Sequence, residues 1–444
     1  MRGFSKISHR GISMNTIKKD DLFICHTRLP IQTELGDDYK QPIKICKNRF
    51  LLYNGELFNY ERDSYENDVE YLIDFFKCFQ FYFTTNQLYT MNQWDGFWAI
   101  VILDLEKNLM MAFTDPLGKK QLYYDEEFNL CSEINPLVKE KSEYDPLFKS
   151  TVLKFGYNLD NRTPYRNIKR VLPGRIYKFD LIEKEIITKK YWGWNFGFNL
   201  NKLDLIKLIH NSVKNRLLSK KYPISLLLSG GLDSTIILYH LVSLKCKVDD
   251  INIYSIENEE DFKYIKICEK FFDIKVKLIN YEINESELGI IFKEFNETPI
   301  DLGSVIPQYN LFKQIKDKIV LSGDGADELF GGYHRINEYD SQKSDIFHEL
   351  SFYHLPRLDR ASMRYTIELR NPFLNHLIVR YALNLPYEER KNKKILKEIY
   401  KNLIPLEIIE RKKEALKNNR IRKNKKEYWY DISKIFYGDK YEDI

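Results

Sequence analysis

Cysteine is scarce in this chain: Cys25, Cys46, Cys78, Cys131, Cys246 and Cys268 are the six among 444 residues. None forms a C-x-x-C pair and none clusters with the eight histidines, which argues against a zinc site or a disulfide framework. Unpaired thiols suit a reducing compartment, so the expected location is the cytoplasm. No apolar run approaches the ~20 residues that cross a bilayer. The opening Met1-Arg2-Gly3-Phe4-Ser5-Lys6 has no apolar signal core, so no membrane partner is expected. An excess of one charge sign is also missing, since 69 Lys and Arg against 64 Asp and Glu leave +5. The densest basic run, Arg411 to Lys426, reads as a solvated helical face or a loose tail, and no nucleic acid is expected as a partner. What remains is a globular composition, 43% hydrophobic and 30% charged, long enough for two sizeable domains.

Against that background two glycine-rich stretches stand out. The apolar run Ile224-Ser225-Leu226-Leu227-Leu228 leads straight into Ser229-Gly230-Gly231-Leu232-Asp233-Ser234. The segment Thr235 to Leu244 then spaces Ile236, Leu238 and Leu241 as a helix does. A buried strand, a tight glycine turn and a helix start form an anion site, because successive N–H groups converge where the helix dipole is positive. Ser229 and Ser234 add hydroxyl donors. No Gly-Lys-Ser/Thr follows, so the loop is not the one that grips terminal phosphates with a lysine. An ordinary βα turn stays open as the plain alternative at this point.

The second stretch, Leu321-Ser322-Gly323-Asp324-Gly325-Ala326-Asp327-Glu328-Leu329-Phe330-Gly331-Gly332-Tyr333, follows the strand-like Ile319-Val320-Leu321. Three carboxylates among four glycines are not a core motif. Asp233 and Asp327 suit a magnesium ion, which takes one or two carboxylates and completes its shell with phosphate oxygens. Asp324, between two glycines, suits a general base or an amine-orienting group. Ser322 and Gly323 offer hydroxyl and backbone groups to a nucleotide. Both loops leave strands at the edge where ligands of doubly wound sheets bind, so one nucleotide can touch both.

With these residues in view, the first loop resembles the pyrophosphate loop of ATP pyrophosphatases. Nearly the whole chain resembles class II glutamine amidotransferases of the asparagine synthetase B type. Leu358-Asp359-Arg360-Ala361-Ser362-Met363 and Glu368-Leu369-Arg370-Asn371-Pro372-Phe373-Leu374 carry the likeness downstream, with Asn375 where the family usually has Asp. In Lys393-Lys394-Ile395-Leu396-Lys397 the resemblance makes Lys393 the lysine that neutralises the ATP phosphates. Arg411-Lys412-Lys413 matches a further pattern, followed by Ala415-Leu416 in place of Gly-Phe. Leu227 and Ile256 are the expected adenine contacts.

The same resemblance makes the first half an αββα glutaminase sandwich of the N-terminal-nucleophile type and the second half a doubly wound parallel α/β domain ending in helices. The expected division is 1–193 and 194–444, within Trp194-Asn195-Phe196-Gly197-Phe198 and ahead of a helix over Leu203 to Leu218. Arg28, in His26-Thr27-Arg28-Leu29-Pro30-Ile31, takes the place of the arginine for the glutamine carboxylate. Asn54-Gly55-Glu56, after a strand Arg49 to Tyr53, resembles the oxyanion hole, and Asp68 the residue that holds the substrate amine. Family members begin Met-Cys-Gly, whereas this chain reaches Ser8-His9-Arg10-Gly11, resembling the middle of the first helix, some two dozen residues early. Either the recorded start lies inside a longer gene, or the glutaminase has decayed and ammonia is taken from solution.

The implied reaction attaches a carboxylate, foremost that of aspartate, to the α-phosphorus of ATP. Ammonia then attacks the β-aspartyl-adenylate to give asparagine and AMP, with ATP and Mg²⁺ as cofactors. A homodimer is compatible with this reading. Rivals are a synthetase acting on another carboxylate (ring-closing or glycan-amidating), a tRNA-modifying pyrophosphatase, which would lack the second loop, and a non-catalytic binding protein of the same fold.

Overall fold

The computed structural model describes residues 4–19, 22–33, 39–79, 81–192, 202–244, 251–280, 291, 302–333 and 345–412. The expected division near residue 194, Cys246 and the segment from Lys413 onward lie outside the described residues.

The first half is built on strands β1 (Ser13–Lys19), β2 (Leu22–Arg28), β3 (Ile43–Cys46), β4 (Arg49–Leu57), β5 (Gly96–Asp104), β6 (Leu109–Thr114), β7 (Tyr123–Asp125), β8 (Leu130–Cys131), β9 (Ile168–Arg170), β10 (Arg175–Asp180) and β11 (Glu185–Lys190). Six of them form one antiparallel sheet in the order β11-β10-β6-β5-β4-β3. Its central strand β5 shows why the sequence Phe97 to Leu103 reads as almost unbroken apolar. Trp98, Ile100 and Ile102 enter a core shared with Leu72 and Phe76 of the helix Asp68–Lys77, while Ala99, Val101 and Leu103 pack on the other face with Ile24 and Tyr177. Alternation thus sends side chains into two cores rather than into core and water. The second layer of the sandwich is divided between the β1-β2 hairpin and a three-stranded sheet β8-β7-β9. Ser8-His9-Arg10, expected in the middle of a helix, close the 3₁₀ helix Phe4–Arg10, and Gly11 lies just beyond it.

In the second half, β12 (Ile224–Leu227), β13 (Asn252–Ile256), β14 (Lys277–Ile279), β15 (Ile319–Leu321) and β16 (Glu368–Arg370) form a wholly parallel sheet in the order β14-β13-β12-β15-β16. The order reverses between β12 and β15, which is where such sheets open a crevice for a ligand. The helix after β12 spans Leu232–Ser243, beginning three residues before the Thr235 expected from apolar spacing, because Gly231 already serves as N-cap. The helix expected to reach Leu218 ends at Asn215.

Buried polar contacts join the two halves. Arg216 pairs with Asp95 at 2.8 and 3.1 Å. Asp359 receives Arg10 at 2.8 Å and Lys120 at 2.7 Å, and Arg380 donates to the Asn92 carbonyl at 2.7 Å. Asp359 lies well below the usual carboxylate range, because Arg10 and Lys120 outweigh the desolvation that opposes its charge.

Candidate active site

The two glycine-rich loops leave β12 and β15, neighbours in the sheet, and meet. Gly323 makes the meeting possible: a Cβ there would lie 2.9 Å from the Asp233 Cβ and 3.1 Å from the Ser234 nitrogen. Gly230 turns the first loop with φ of +66°. The hydroxyls of that loop are engaged locally, with Ser234 Oγ donating to the Gly231 carbonyl at 3.2 Å and Gly231 N–H donating to Ser229 Oγ at 3.3 Å.

A third segment closes the arrangement. Asn392 and Lys393 both adopt left-handed backbone, φ of +54° and +58°, and their N–H groups donate to the carbonyls of Gly331 (2.8 Å) and Phe330 (2.9 Å). This pins the lysine to the acidic loop, and its ammonium lies 2.6 Å from Asp233 and 2.6 Å from Asp327. Desolvation works against the buried ammonium, but the two carboxylates prevail and raise its pKa above that of a free lysine. Gly332 leaves the room: a Cβ there would sit 1.9 Å from Asp327 Oδ1 and 2.5 Å from Lys393 Cε.

These groups face one cavity of about 470 Å³. Of the nucleotide candidates, Leu227, Ser229, Gly231, Asp233, Ser234, Ile256, Ser322 and Gly323 line it, as do Asp324, Asp327 and Lys393. Gly230 does not, since it packs against Tyr264 while making the turn. Asp324 accepts a hydrogen bond from Ser322 Oγ at 2.6 Å, and Asn371 donates to Ser322 at 2.8 Å. The apolar end of the cavity includes Tyr254, Leu311 and Phe312, and its charged rim includes Lys397 and Arg411. Arg411 donates to the Ser229 carbonyl at 2.9 Å, pairs with Asp261 and lies over the Tyr264 ring at 4.1 Å. Tyr254, Leu311, Phe312 and Asn371 were not anticipated as site residues. Tyr254, Leu311 and Phe312 carry only an apolar or aromatic signal that many positions share, whereas Asn371 stands within the stretch Glu368 to Leu374 already noted.

Arg28, Asn54, Gly55, Glu56 and Asp68 form no part of this cavity. Asn54-Gly55-Glu56 lie inside β4, which runs on to Leu57, and pair with Ala99, Trp98 and Phe97. The expected strand end at Tyr53 is therefore wrong, because cross-strand pairing carries β4 through the glycine. Asp68 begins its helix behind an Asn67 N-cap and accepts from Tyr53 Oη at 2.8 Å and Leu57 N–H at 3.0 Å. Burial pushes its carboxyl up to about 6 in spite of those bonds. Glu56 is held well above its usual range by burial and by Glu368 and Asp68, with Arg370 and Gln32 acting in the opposite sense.

The family model described as Asparagine synthase matches residues 204–352 and 340–431, and that described as Glutamine amidotransferase domain matches residues 1–192. The chain is 27% identical over 440 residues to asparagine synthetase [glutamine-hydrolyzing] of Gallus gallus, covering 91% of this chain and 78% of that protein. Identity to the Homo sapiens protein of the same name is 28% over 413 residues, covering 84% and 73%. Among solved structures, an NMN synthetase from Francisella tularensis covers 54% of this chain and 87% of its own at 15% identity, with a TM-score of only 0.29. Two glycine-rich loops meeting at the sheet's reversal point, a lysine between their carboxylates and a family model spanning the second half lead to one conclusion: the chain belongs to the asparagine synthase family of ligases.

Proposed function

We propose that this chain uses ATP to amidate aspartate, forming asparagine, AMP and pyrophosphate, with ammonia as the nitrogen source. The observation that carries the reading is the convergence of Asp233, Asp327 and Lys393 at the floor of a cavity large enough for a nucleotide. A nucleotide whose adenine lies against Leu227 and Ile256 would direct its phosphates toward the N-terminus of helix Leu232–Ser243.

In the first step a carboxylate oxygen of aspartate attacks the α-phosphorus and pyrophosphate leaves. Charge accumulates on the bridging and terminal oxygens, and the loop N–H groups, Ser229, Ser234 and Lys393 are positioned to balance it. In the second step the ammonia nitrogen attacks the acyl carbon, the bond to AMP breaks, and the nitrogen gives up a proton. Asp324, oriented by Ser322, is the acceptor we assign to that proton.

A divalent ion fits the donor set. Asp233 and Asp327 come from different loops yet lie within 2.6 Å of a single cationic nitrogen, so they already enclose a cation position. Phosphate oxygens and water would supply the remaining ligands of such an ion. When bound there, Mg²⁺ would neutralise the departing pyrophosphate.

The assignment of ammonia is supported by the groups that resemble a glutamine site. Asp68, Glu56 and Arg28 are buried and already engaged by Tyr53 with Leu57, Gln32 and Thr33 respectively. We also place the domain division at 193/194, between the stretches matched by the two family models. The test is pyrophosphate release by the full chain with Mg-ATP and aspartate, in parallel with ammonium and with glutamine. Release with ammonium and appearance of asparagine are expected. Release only with a different carboxylate would replace aspartate as the acceptor, and no release with any carboxylate would end the catalytic reading.

A further inference from the structure

The segment just after β2 places two neighbouring polar side chains where the first half concentrates opposite charges. Gln32 Nε2 donates to Glu56, and Thr33 Oγ1 accepts from the Arg28 guanidinium. Tyr60 Oη donates to Gln32 Oε1 at 2.8 Å, which fixes the orientation of the carboxamide. Gln32, Thr33, Glu56 and Arg28 are each 6–7% exposed, so water contributes little to satisfying them. Glu56 with its neighbour Asp68 and, one residue further along the contacting segment, Arg28 are complementary to a free amino acid, whose ammonium would address the two acids and whose carboxylate would address Arg28. Gln32 offers an N–H to the acid and Thr33 an oxygen to the guanidinium, so adjacent residues of the chain mimic both ends of such a ligand.

We propose that Gln32 and Thr33 are a built-in surrogate ligand that occupies the amino-acid subsite of the first half and excludes free glutamine. The inference rests on reading that half as glutaminase-like, and it names the residues that set the preference for ammonia. A free amino acid must displace two buried hydrogen bonds and leave Gln32 and Thr33 to find new partners. An internal competitor lowers apparent affinity by the fraction of time it occupies the site, so its removal must show as a gain of binding.

The experiment is calorimetric titration of the full chain with glutamine, using wild type, Gln32→Gly and Gln32→Ser. Thermal melting of each variant establishes that it is folded, and ammonium-dependent pyrophosphate release is followed in parallel. Binding at least ~10-fold tighter in both variants than in wild type, with ammonium-dependent release unchanged, is the expected result, equivalent to about 1.4 kcal/mol. Equal affinity in wild type and variants, or no binding by folded variants, overturns the proposal. Failure of the proposed function has a separate mark, the absence of pyrophosphate release from wild type with ammonium, whatever the titrations give.

Discussion

Replacing Lys393 by Met tests whether one buried cation holds the two loops together. The methionine stem fills similar space but leaves Asp233 and Asp327, both previously 2.6 Å from the ammonium, facing each other without a counter-charge. Lys393 and its partners are largely buried, with side-chain exposures of 8%, 14% and 12%, so solvent screens little of the loss. Removing one member of such a buried set costs about 3–5 kcal/mol. For a unit of roughly 200 residues that corresponds to a fall in Tm of about 10 °C. Mg²⁺ supplies the discriminating arm, because Asp233 and Asp327 without the ammonium gain more from a divalent cation than they do in wild type, where Lys393 already compensates part of their charge. Added Mg²⁺ should therefore raise the Tm of the variant more than that of wild type. Pyrophosphate release should fall by at least ~100-fold, as expected when a preorganised charge opposite the departing group is lost. Scanning calorimetry with and without Mg²⁺ reads both stability effects. A Tm within 2 °C of wild type (about 1 kcal/mol or less), or equal Mg²⁺ shifts in both proteins, would refute the reasoning.

Three further outcomes are expected. Gly332→Ala puts a methyl group 1.9 Å from Asp327 Oδ1 and must separate the Asp327–Lys393 pair, costing about 1–3 kcal/mol and weakening ATP binding, as read by melting and nucleotide titration. Asn375 Oδ1 caps the helix His376–Asn384 by accepting from Leu377 N–H at 2.9 Å and Ile378 N–H at 3.3 Å, so Asn375→Ala should lose about 1 kcal/mol in denaturant unfolding. His26, His240 and His376 are pushed by burial down to about 4, 3 and 4 from an ordinary 6.5. Their protons bind the unfolded chain first, so stability is highest above pH 6.5 and falls toward pH 4 by up to about 1.4 kcal/mol per histidine per pH unit; an unfolding free energy flat over that window would contradict this.

Asn375 departs from the family pattern without loss of the helix cap, and its carboxamide also hydrogen-bonds the buried Asp95. Asparagine and aspartate cap a helix through the same oxygen, so the change is neutral for that contact. The strand expected to stop at Tyr53 shows the reverse case. Glycine in a sequence suggests a break, but the register Gly55 with Trp98 continues β4 to Leu57, because pairing partners that are distant in sequence override local preference.

The sequence by itself determined the local chemistry: strand, glycine turn and helix start at Ser229 to Ser234, the acid-rich loop at Asp324 to Asp327, and the apolar strands before each. Those depend on the spacing of neighbouring residues, and spacing is visible in one dimension. Only the tertiary structure decided that Lys393, some 160 positions beyond Asp233, sits between both carboxylates, and that Gly332 is small to admit the pair. It likewise decided that Gln32 and Thr33 engage Glu56 and Arg28. Such contacts depend on strand order, on where a chain turns back, and on angstrom-scale clearances between segments far apart in sequence, and no local pattern encodes them.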